Sequence, residues 1–178
     1  MKNLIGFMRP EGVLDNVDIK RGMKIAEFGS GAGYFTIPLA KKVGREGRVY
    51  AIDVRESALD AVRSRAKILS ILNIQTIRAN LEKERGSGLD DRSVDIIFLA
   101  NILFQSKLKD AILKESARTL KKTGKIVVIE WNSDALFGPG AAYRISKKEL
   151  KDLLKRAGFV LEKEFNAGMS HYGLVLSL

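Results

Sequence analysis

Short apolar runs alternate with stretches of helical periodicity along most of the chain, and this alternation limits the folds that the chain can adopt. Seven runs have the length and apolar content of strands: residues 24–28, 47–54, 74–78, 94–100, 125–131, 159–165 and 171–176. Helical patterns separate most of them and cover residues 34–43, 56–72, 107–120 and 146–157. Strands that alternate with helices form βαβ units, in which the strands lie parallel and helices cover both faces. We therefore predict a doubly wound α/β fold with a mostly parallel, seven-stranded sheet.

The last two strand patterns depart from this rule, because only Asn166-Ala167-Gly168 and two further residues separate them. A connection this short permits a hairpin, so we predict that the sheet gains an antiparallel C-terminal hairpin strand. The chain shows no linker, internal repeat or low-complexity tract. We therefore predict one domain over residues 1–178.

A glycine-rich loop, EFGSGAGYF, ends the first strand pattern and opens the next helix. Glycines at positions 29, 31 and 33 let the backbone turn tightly and approach a ligand closely. The N-terminus of the helix adds backbone N–H groups and a partial positive charge. A strand, a glycine loop and a helix in this order predict a nucleotide-binding site.

Two carboxylates indicate which nucleotide this site binds. Asp53 ends the second strand pattern, where it can accept hydrogen bonds from ribose hydroxyls and would repel a 2′-phosphate. Glu27, just before the loop, suits the ammonium group of a methionine moiety better than a pyrophosphate. The dinucleotide fingerprint also requires glycine at the sixth loop position, where this chain has Tyr34. The pattern therefore favours S-adenosylmethionine over NAD.

With these features the sequence resembles the class I S-adenosylmethionine-dependent methyltransferases, and most of all the small bacterial and archaeal members allied to the ubiquinone/menaquinone-biosynthesis type. The resemblance extends from about Arg9 to Leu176 and includes EFGSGAGYFTIPLAKKVG, GRVYAIDV, VDIIFLANILF, ARTLKKTGKIVVIEW, RISKKELKDLLKRAGF and HYGLVL. It implies a Rossmann-like domain, S-adenosylmethionine as cofactor, S-adenosylhomocysteine as product, and methyl transfer by in-line displacement.

The resemblance also implies a set of cofactor-binding residues. Around the methionine part it places Glu27 and the backbone of Gly29, Gly31 and Gly33, and the cofactor-binding set also includes Ser30 and Tyr34. Asp53 would hold the ribose and Val54 would pack on the adenine. Asn80, followed by Leu81, stands where the family usually has an aspartate, so its amide oxygen would accept from the adenine amino group. Ala100, Asn101 and Phe104 would border the methyl group. Three of these residues have a purely structural alternative: Asn80 as a turn residue, Asn101 as a cap and Phe104 as core.

No catalytic triad is visible, and methyl transfer from a sulfonium chiefly requires alignment of the reactants and exclusion of water. Four residues near the ends of the last strands are candidates for the acceptor site: Trp131, Arg144, His171 and Tyr172. His171 is the only histidine and would serve as a general base near neutral pH, or else is structural. Arg144 would bind an anionic acceptor or form a surface ion pair. Trp131 would act in catalysis or form the pocket wall.

Composition and missing motifs narrow the function further. The chain has no cysteine, which excludes disulfides, cysteine-ligated metal centres and a thiolate nucleophile, and we predict no metal site. The segment after the fourth strand lacks the Asn/Asp-Pro-Pro-aromatic signature of enzymes that methylate exocyclic amines, so we predict a small-molecule acceptor. The net charge of +10 keeps an RNA acceptor as an alternative, and a non-catalytic nucleoside-binding partner subunit is another.

No apolar run approaches the roughly 20 residues that a membrane helix needs, so we predict no membrane span and a cytoplasmic location. No feature of the sequence indicates the oligomeric state.

Overall fold

The structure, a computed structural model, describes residues 8–178. The first seven residues of the predicted domain lie outside this range. In chain order the elements are α1 Pro10–Leu14, β1 Lys24–Phe28, α2 Thr36–Val43, β2 Arg48–Asp53, α3 Glu56–Ile68, β3 Ile74–Arg78, β4 Val94–Ala100, α4 Lys109–Thr119, β5 Leu120–Trp131, α5 Lys147–Arg156, β6 Val160–Asn166 and β7 His171–Ser177. Short 3₁₀ turns lie at Leu103–Gln105 and Ala141–Tyr143.

The seven strands form one sheet in the order β3-β2-β1-β4-β5-β7-β6. Strands β1 to β5 pair in parallel, and β7 is antiparallel to both of its neighbours, β5 and β6. This arrangement confirms the predicted Rossmann-like, mostly parallel sheet with a C-terminal antiparallel hairpin. The hairpin folds back so that β7 enters between β5 and β6, a position that the sequence pattern did not predict.

Helices cover both faces of the sheet, and each face has its own apolar core. On one face α4 and α5 pack over Ile126 and Val128, and on the other α1 and α2 pack on the side of Val127 and Ile129. Burial on both faces explains why the central strands read as continuous apolar runs. Among residues 8–178 no helix is long and apolar enough to span a membrane.

Two element boundaries differ from the sequence pattern. Helix α3 ends at Ile68, because Ser70 adopts a left-handed backbone (φ +53°) and the N–H of Ile71 donates to the carbonyl of Ala66 at 2.9 Å. This reversal packs Ile71 against the core, which a continued helix would not achieve. Strand β5 begins at Leu120, across an irregularity in its pairing with β4.

A buried ion pair holds the segment between β3 and β4 against α4. Glu115 is buried and accepts from the backbone N–H of Ser87 at 2.9 Å. Arg118 donates to both Glu115 oxygens, at 2.9 and 2.7 Å, and to the carbonyl of Leu89 at 2.8 Å. Burial opposes the charged form of Glu115, but the hydrogen bonds from Arg118 and Ser87 outweigh it and lower the pKa of this carboxyl. Arg118 therefore compensates a carboxylate that has little access to water.

We expect Arg118→Ala to reduce the free energy of unfolding by about 2 kcal/mol, because the Glu115 carboxylate would stay buried without its counterion. Partial contact of Arg118 with water keeps this value below that of a fully enclosed pair. Urea denaturation measures the change. The matched control is Arg63→Ala, because Arg63 also pairs with two carboxylates, those of Glu56 and Asp60, but on the surface of α3. Equal losses for the two variants would contradict this account of Arg118.

Candidate active site

A cleft of about 760 Å³ opens at the carboxyl ends of β1 to β4, the edge at which parallel sheets bind ligands. Most of the residues that the sequence predicted around the cofactor line it: Glu27, Gly29, Ser30, Gly31, Tyr34, Asp53, Val54, Asn80, Leu81, Ala100 and Asn101. These residues follow different strands, and they come together because parallel strands have their carboxyl ends at the same edge of the sheet.

Gly33 and Phe104, predicted at the same site, are not among the lining residues. Gly33 has φ +84°, and a Cβ built on it would lie 3.1 Å from a methyl carbon of Val62 on α3. Its glycine character therefore serves the backbone turn and the packing of α3. Phe104 lies in the 3₁₀ turn and packs against the core, which is the structural alternative for this residue.

The backbone N–H groups of the glycine loop are largely used within the protein. Those of Gly29 and Ser30 both donate to the carbonyl of Ile52, at 2.8 and 3.0 Å, and that of Gly31 donates to Asp53 Oδ2 at 2.9 Å. A pyrophosphate needs such groups free, as they are at phosphate-binding helix N-termini. The loop is therefore suited to a nucleoside without phosphates.

Asp53 is 6% exposed and ends β2 beside the loop. Besides Gly31, its carboxylate accepts from the backbone N–H of Arg55 at 3.0 Å and from the Arg55 Nε at 3.3 Å. A carboxylate has about four acceptor positions, so it retains capacity for a ribose hydroxyl. Arg55 also lines the cleft at this point, and no local signal in the sequence marks it.

Glu27 is 2% exposed in β1 and accepts a hydrogen bond from the hydroxyl of Thr36, the first residue of α2. Burial raises the pKa of Glu27 to about 8, in spite of the Thr36 bond, and the nearby Asp53 raises it further. A neighbouring cation would favour the carboxylate. Ser30 Oγ is also buried in the cleft and has no hydrogen-bond partner among the described residues. These groups fit a nucleoside that carries an ammonium group.

Asn80 and Glu82 follow β3 and form part of the cleft wall. The Asn80 amide oxygen, expected to accept from adenine, accepts from the backbone N–H of Glu82 at 2.9 Å, as in an Asx turn. The Glu82 carboxylate accepts from the Ser106 hydroxyl at 2.5 Å and so joins the loops after β3 and β4. No local signal in the sequence marks Glu82 or Ser106, because their proximity depends on the order of the strands.

Beyond the cleft, Trp131 and His171 face each other across β5 and β7, with ring centroids 4.0 Å apart. His171 Nε2 lies 3.1 Å from the amide nitrogen of Asn101, which lines the cleft. Two of the four predicted acceptor residues thus lie next to the predicted cofactor residues. Burial lowers the pKa of His171 to about 4, so the imidazole is neutral at pH 7 and does not titrate in the range expected from the sequence.

The other two predicted acceptor residues point elsewhere. Arg144 donates to five backbone carbonyls of the loop after β5, at 2.7 to 3.2 Å, those of Asn132, Ser133, Ala135, Phe137 and Pro139. Its guanidinium organises this loop and has little capacity for an anionic acceptor. Tyr172 faces α5, donates to the carbonyl of Ile145 at 3.3 Å, and has a pKa raised by burial.

Comparisons with known proteins agree with this geometry. The model of a methyltransferase domain family matches residues 19–166. The chain is 28% identical over 120 residues to a ubiquinone/menaquinone biosynthesis C-methyltransferase of Idiomarina loihiensis, with 67% of this chain and 47% of that protein covered. It is 24% identical over 170 residues to a demethylmenaquinone methyltransferase of Bacillus mycoides, with 93% and 70% covered. The chain thus spans about half the length of the first relative.

Among solved structures, a SAM-dependent methyltransferase from Aquifex aeolicus superimposes with a TM-score of 0.88 and 28% sequence identity, and the match covers 95% of this chain and 89% of that one. The family model covers strands β1 to β6 and every cleft residue named above. The chain therefore belongs to the methyltransferase domain family, as a class I domain whose cofactor is S-adenosylmethionine.

Proposed function

We propose that this domain transfers the methyl group of S-adenosylmethionine to a ring carbon of a small, hydroxylated aromatic acceptor of the quinol type. The observation that carries the proposal is an apolar rim, a group of exposed apolar side chains at the carboxyl edge of the sheet, which is the edge at which the cleft opens. Leu136 and Phe137, which are 85% and 72% exposed, project from the loop after β5, and Tyr143 and Met169 are also exposed. The names of the relatives, a ubiquinone/menaquinone biosynthesis C-methyltransferase and a demethylmenaquinone methyltransferase, support the same acceptor class.

The rim belongs to two segments that are joined at the carboxyl edge of the sheet. The backbone N–H of Asn132 donates to the carbonyl of Ser170 at 2.8 Å, which connects the loop after β5 to the β6–β7 turn. Gly138 lies against the Trp131 ring, where a Cβ would approach to 2.5 Å. Apolar surface exposed at the ligand-binding edge of a sheet favours a ligand that buries apolar area.

In this proposal the cleft residues orient the cofactor. Glu27 would hold the ammonium group directly or through water, Asp53 would hold a ribose hydroxyl, and Val54 would pack on the adenine. When bound, S-adenosylmethionine supplies an activated methyl group on a sulfonium. The remaining task of the chain is to align the acceptor carbon with that methyl and to exclude water.

The arrangement of basic side chains favours a small acceptor over RNA. The guanidinium of Arg63 pairs with carboxylates on α3, and Lys121 pairs with Asp95 at the opposite, amino edge of the sheet. Lys147 and Lys151 both pair with Glu164. These cations are spread over the molecule, whereas an RNA-binding surface gathers them along one face.

The experiment that tests the proposal is methyl transfer from ¹³C-methyl S-adenosylmethionine to a short-chain prenylated 1,4-naphthoquinol, kept reduced. We expect a ¹³C methyl group on a ring carbon, with loss of the ring C–H signal and an equal amount of S-adenosylhomocysteine. An RNA pool is assayed in parallel. Label in RNA and none in the quinol would support the RNA alternative, while cofactor binding without transfer to either would indicate a non-catalytic module.

A further inference from the structure

We infer that Glu82 selects the base of the cofactor: its carboxylate accepts a hydrogen bond from the amino group of adenine, in place of the Asn80 amide. The inference rests on the proposed function, because it requires the nucleoside to lie in the cleft with its ribose at Asp53. It adds a specificity-determining residue that neither the sequence pattern nor the comparisons with known proteins assign.

The Asn80 side chain is already used to close the turn after β3. Its amide oxygen accepts from the backbone N–H of Glu82 at 2.9 Å, and its backbone carbonyl accepts from the N–H of Lys83 at 3.2 Å. The other end of the amide is an NH₂ group, which only donates and so cannot pair with the amino group of adenine. A neighbouring side chain with a less occupied acceptor is therefore better placed to recognise that amino group.

Glu82 brings such an acceptor to the cleft wall. The residue is half-buried and lines the cleft together with Asn80. Its carboxylate accepts from the hydroxyl of Ser106 at 2.5 Å. A carboxylate has about four acceptor positions, so this single hydrogen bond leaves most of its capacity for a ligand.

Ser106 holds the Glu82 carboxylate in a fixed position. Ser106 is 8% exposed, and its hydroxyl oxygen accepts from the backbone N–H of Leu108 at 2.9 Å. The hydroxyl proton is thereby left to point at Glu82. The Ser106 carbonyl accepts from Lys109 Nζ at 2.6 Å, which ties the same segment to the start of α4. A carboxylate held in this way loses little side-chain entropy when it binds a ligand.

The strand order places the base of the nucleoside on the side of Glu82. Asp53 ends β2, and β2 lies between β1 and β3. The β1 side carries the glycine loop and Glu27, where the amino-acid part of the ligand is proposed to lie. The base therefore extends from the ribose towards the residues that follow β3. Val54, 54% exposed at the end of β2, offers an apolar surface for a flat ring there.

A carboxylate in this position distinguishes purines by what they carry at C6. Adenine has an amino group there, which donates to a carboxylate. Hypoxanthine has a carbonyl oxygen instead, so two acceptors would face each other without a proton between them. A site that requires a hydrogen bond rejects strongly an analogue that lacks the partner group. We expect the protein to bind S-adenosylhomocysteine at least about a hundredfold more tightly than S-inosylhomocysteine.

Calorimetric titration of the whole protein with these two nucleosides tests the inference. Because the two bases also differ at N1, the change in their affinity ratio on substitution measures the part due to Glu82. In Glu82→Gln the side chain can donate to the carbonyl of hypoxanthine, so we expect the ratio to fall at least about tenfold. Glu84→Gln removes the same charge from an exposed residue two positions further along and should leave the ratio unchanged.

Asn80→Ser separates the two candidates for adenine recognition, because a serine hydroxyl can accept from the same N–H and retain the turn. We expect this variant to keep the ratio of the unmodified protein. A ratio that falls in Asn80→Ser and not in Glu82→Gln would overturn the inference, as would equal binding of both nucleosides by the unmodified protein. If S-adenosylhomocysteine binds and Glu82→Gln leaves the ratio unchanged, the inference is wrong while the cofactor site stands. If S-adenosylhomocysteine does not bind the unmodified protein, the proposed function itself fails.

Discussion

Asp53→Ala is expected to weaken the binding of S-adenosylmethionine and S-adenosylhomocysteine about a hundredfold. The variant removes the carboxylate proposed to accept from a ribose hydroxyl, and a charge-assisted hydrogen bond of this kind contributes up to about 3 kcal/mol. It also removes the acceptor for the Gly31 N–H, which ties the glycine loop to β2 at 2.9 Å. Calorimetric titration of the two nucleosides measures the change, and NAD in a parallel titration should not bind.

The matched control for Asp53 is Asp95→Asn. Asp95 also combines a backbone donor and a basic side chain, since it accepts from the Lys24 N–H at 2.8 Å and from Lys121 Nζ at 2.7 Å. It lies at the amino ends of β1 and β4, far from the cleft. We expect the control to bind both nucleosides normally. Unchanged affinity in a folded Asp53→Ala protein would refute the ribose assignment.

Binding of S-adenosylhomocysteine is expected to release a proton and to strengthen about fiftyfold between pH 6 and pH 8. The reason is that burial raises the pKa of Glu27 to about 8, so that this carboxyl is about 90% protonated at pH 7 before the ligand binds. The ammonium group of the ligand stabilises the carboxylate, and the proton leaves. At pH 7 the binding enthalpy should therefore depend on the ionisation enthalpy of the buffer.

Glu27→Gln should remove both the proton release and the pH dependence. Glu130 requires its own control, because burial raises the pKa of this second carboxyl to about 7, against the N–H donors of Phe104 and Leu103. Glu130→Gln should leave the proton release intact if Glu27 is its source.

The stability of the protein should depend on pH in the opposite direction to nucleoside binding. Because the pKa of Glu27 is raised in the folded state, unfolding releases this proton between about pH 4.5 and 8. The contribution of Glu27 to the free energy of unfolding therefore declines as the pH rises.

The sheet and the positions of the cleft residues were predictable because their signals are local. Apolar runs separated by helices require parallel strands, and parallel strands bring the residues after Phe28, Ile52 and Leu99 to one edge whatever the details of packing. The glycine loop and Asp53 could therefore be placed near each other without knowledge of any side-chain contact.

The states of individual side chains were less predictable, because they depend on contacts between distant segments. The sequence shows His171 as an isolated ionisable residue, whereas in the fold it is buried, with Asn101 and Trp131 from other segments against it, and burial keeps the ring neutral. Arg144 has the charge of an anion-binding residue, but the path of the loop after β5 determines that carbonyl groups surround it. Thr36 hydrogen-bonds Glu27 only because α2 packs back on β1.

The insertion of β7 between β5 and β6 determines when the sheet is completed during synthesis of the chain. Residues 24–100 include the four strands whose ends form the cofactor cleft, and they leave the ribosome early. Within residues 8–178, β6 pairs with β7 alone, and the edge of β5 that faces away from β4 is covered once residues 171–177 have been added. Because a domain generally folds as a unit, the sheet is complete only after residues 171–177 have been synthesised. The last strand to be made is therefore the one that joins β6 to the rest of the sheet.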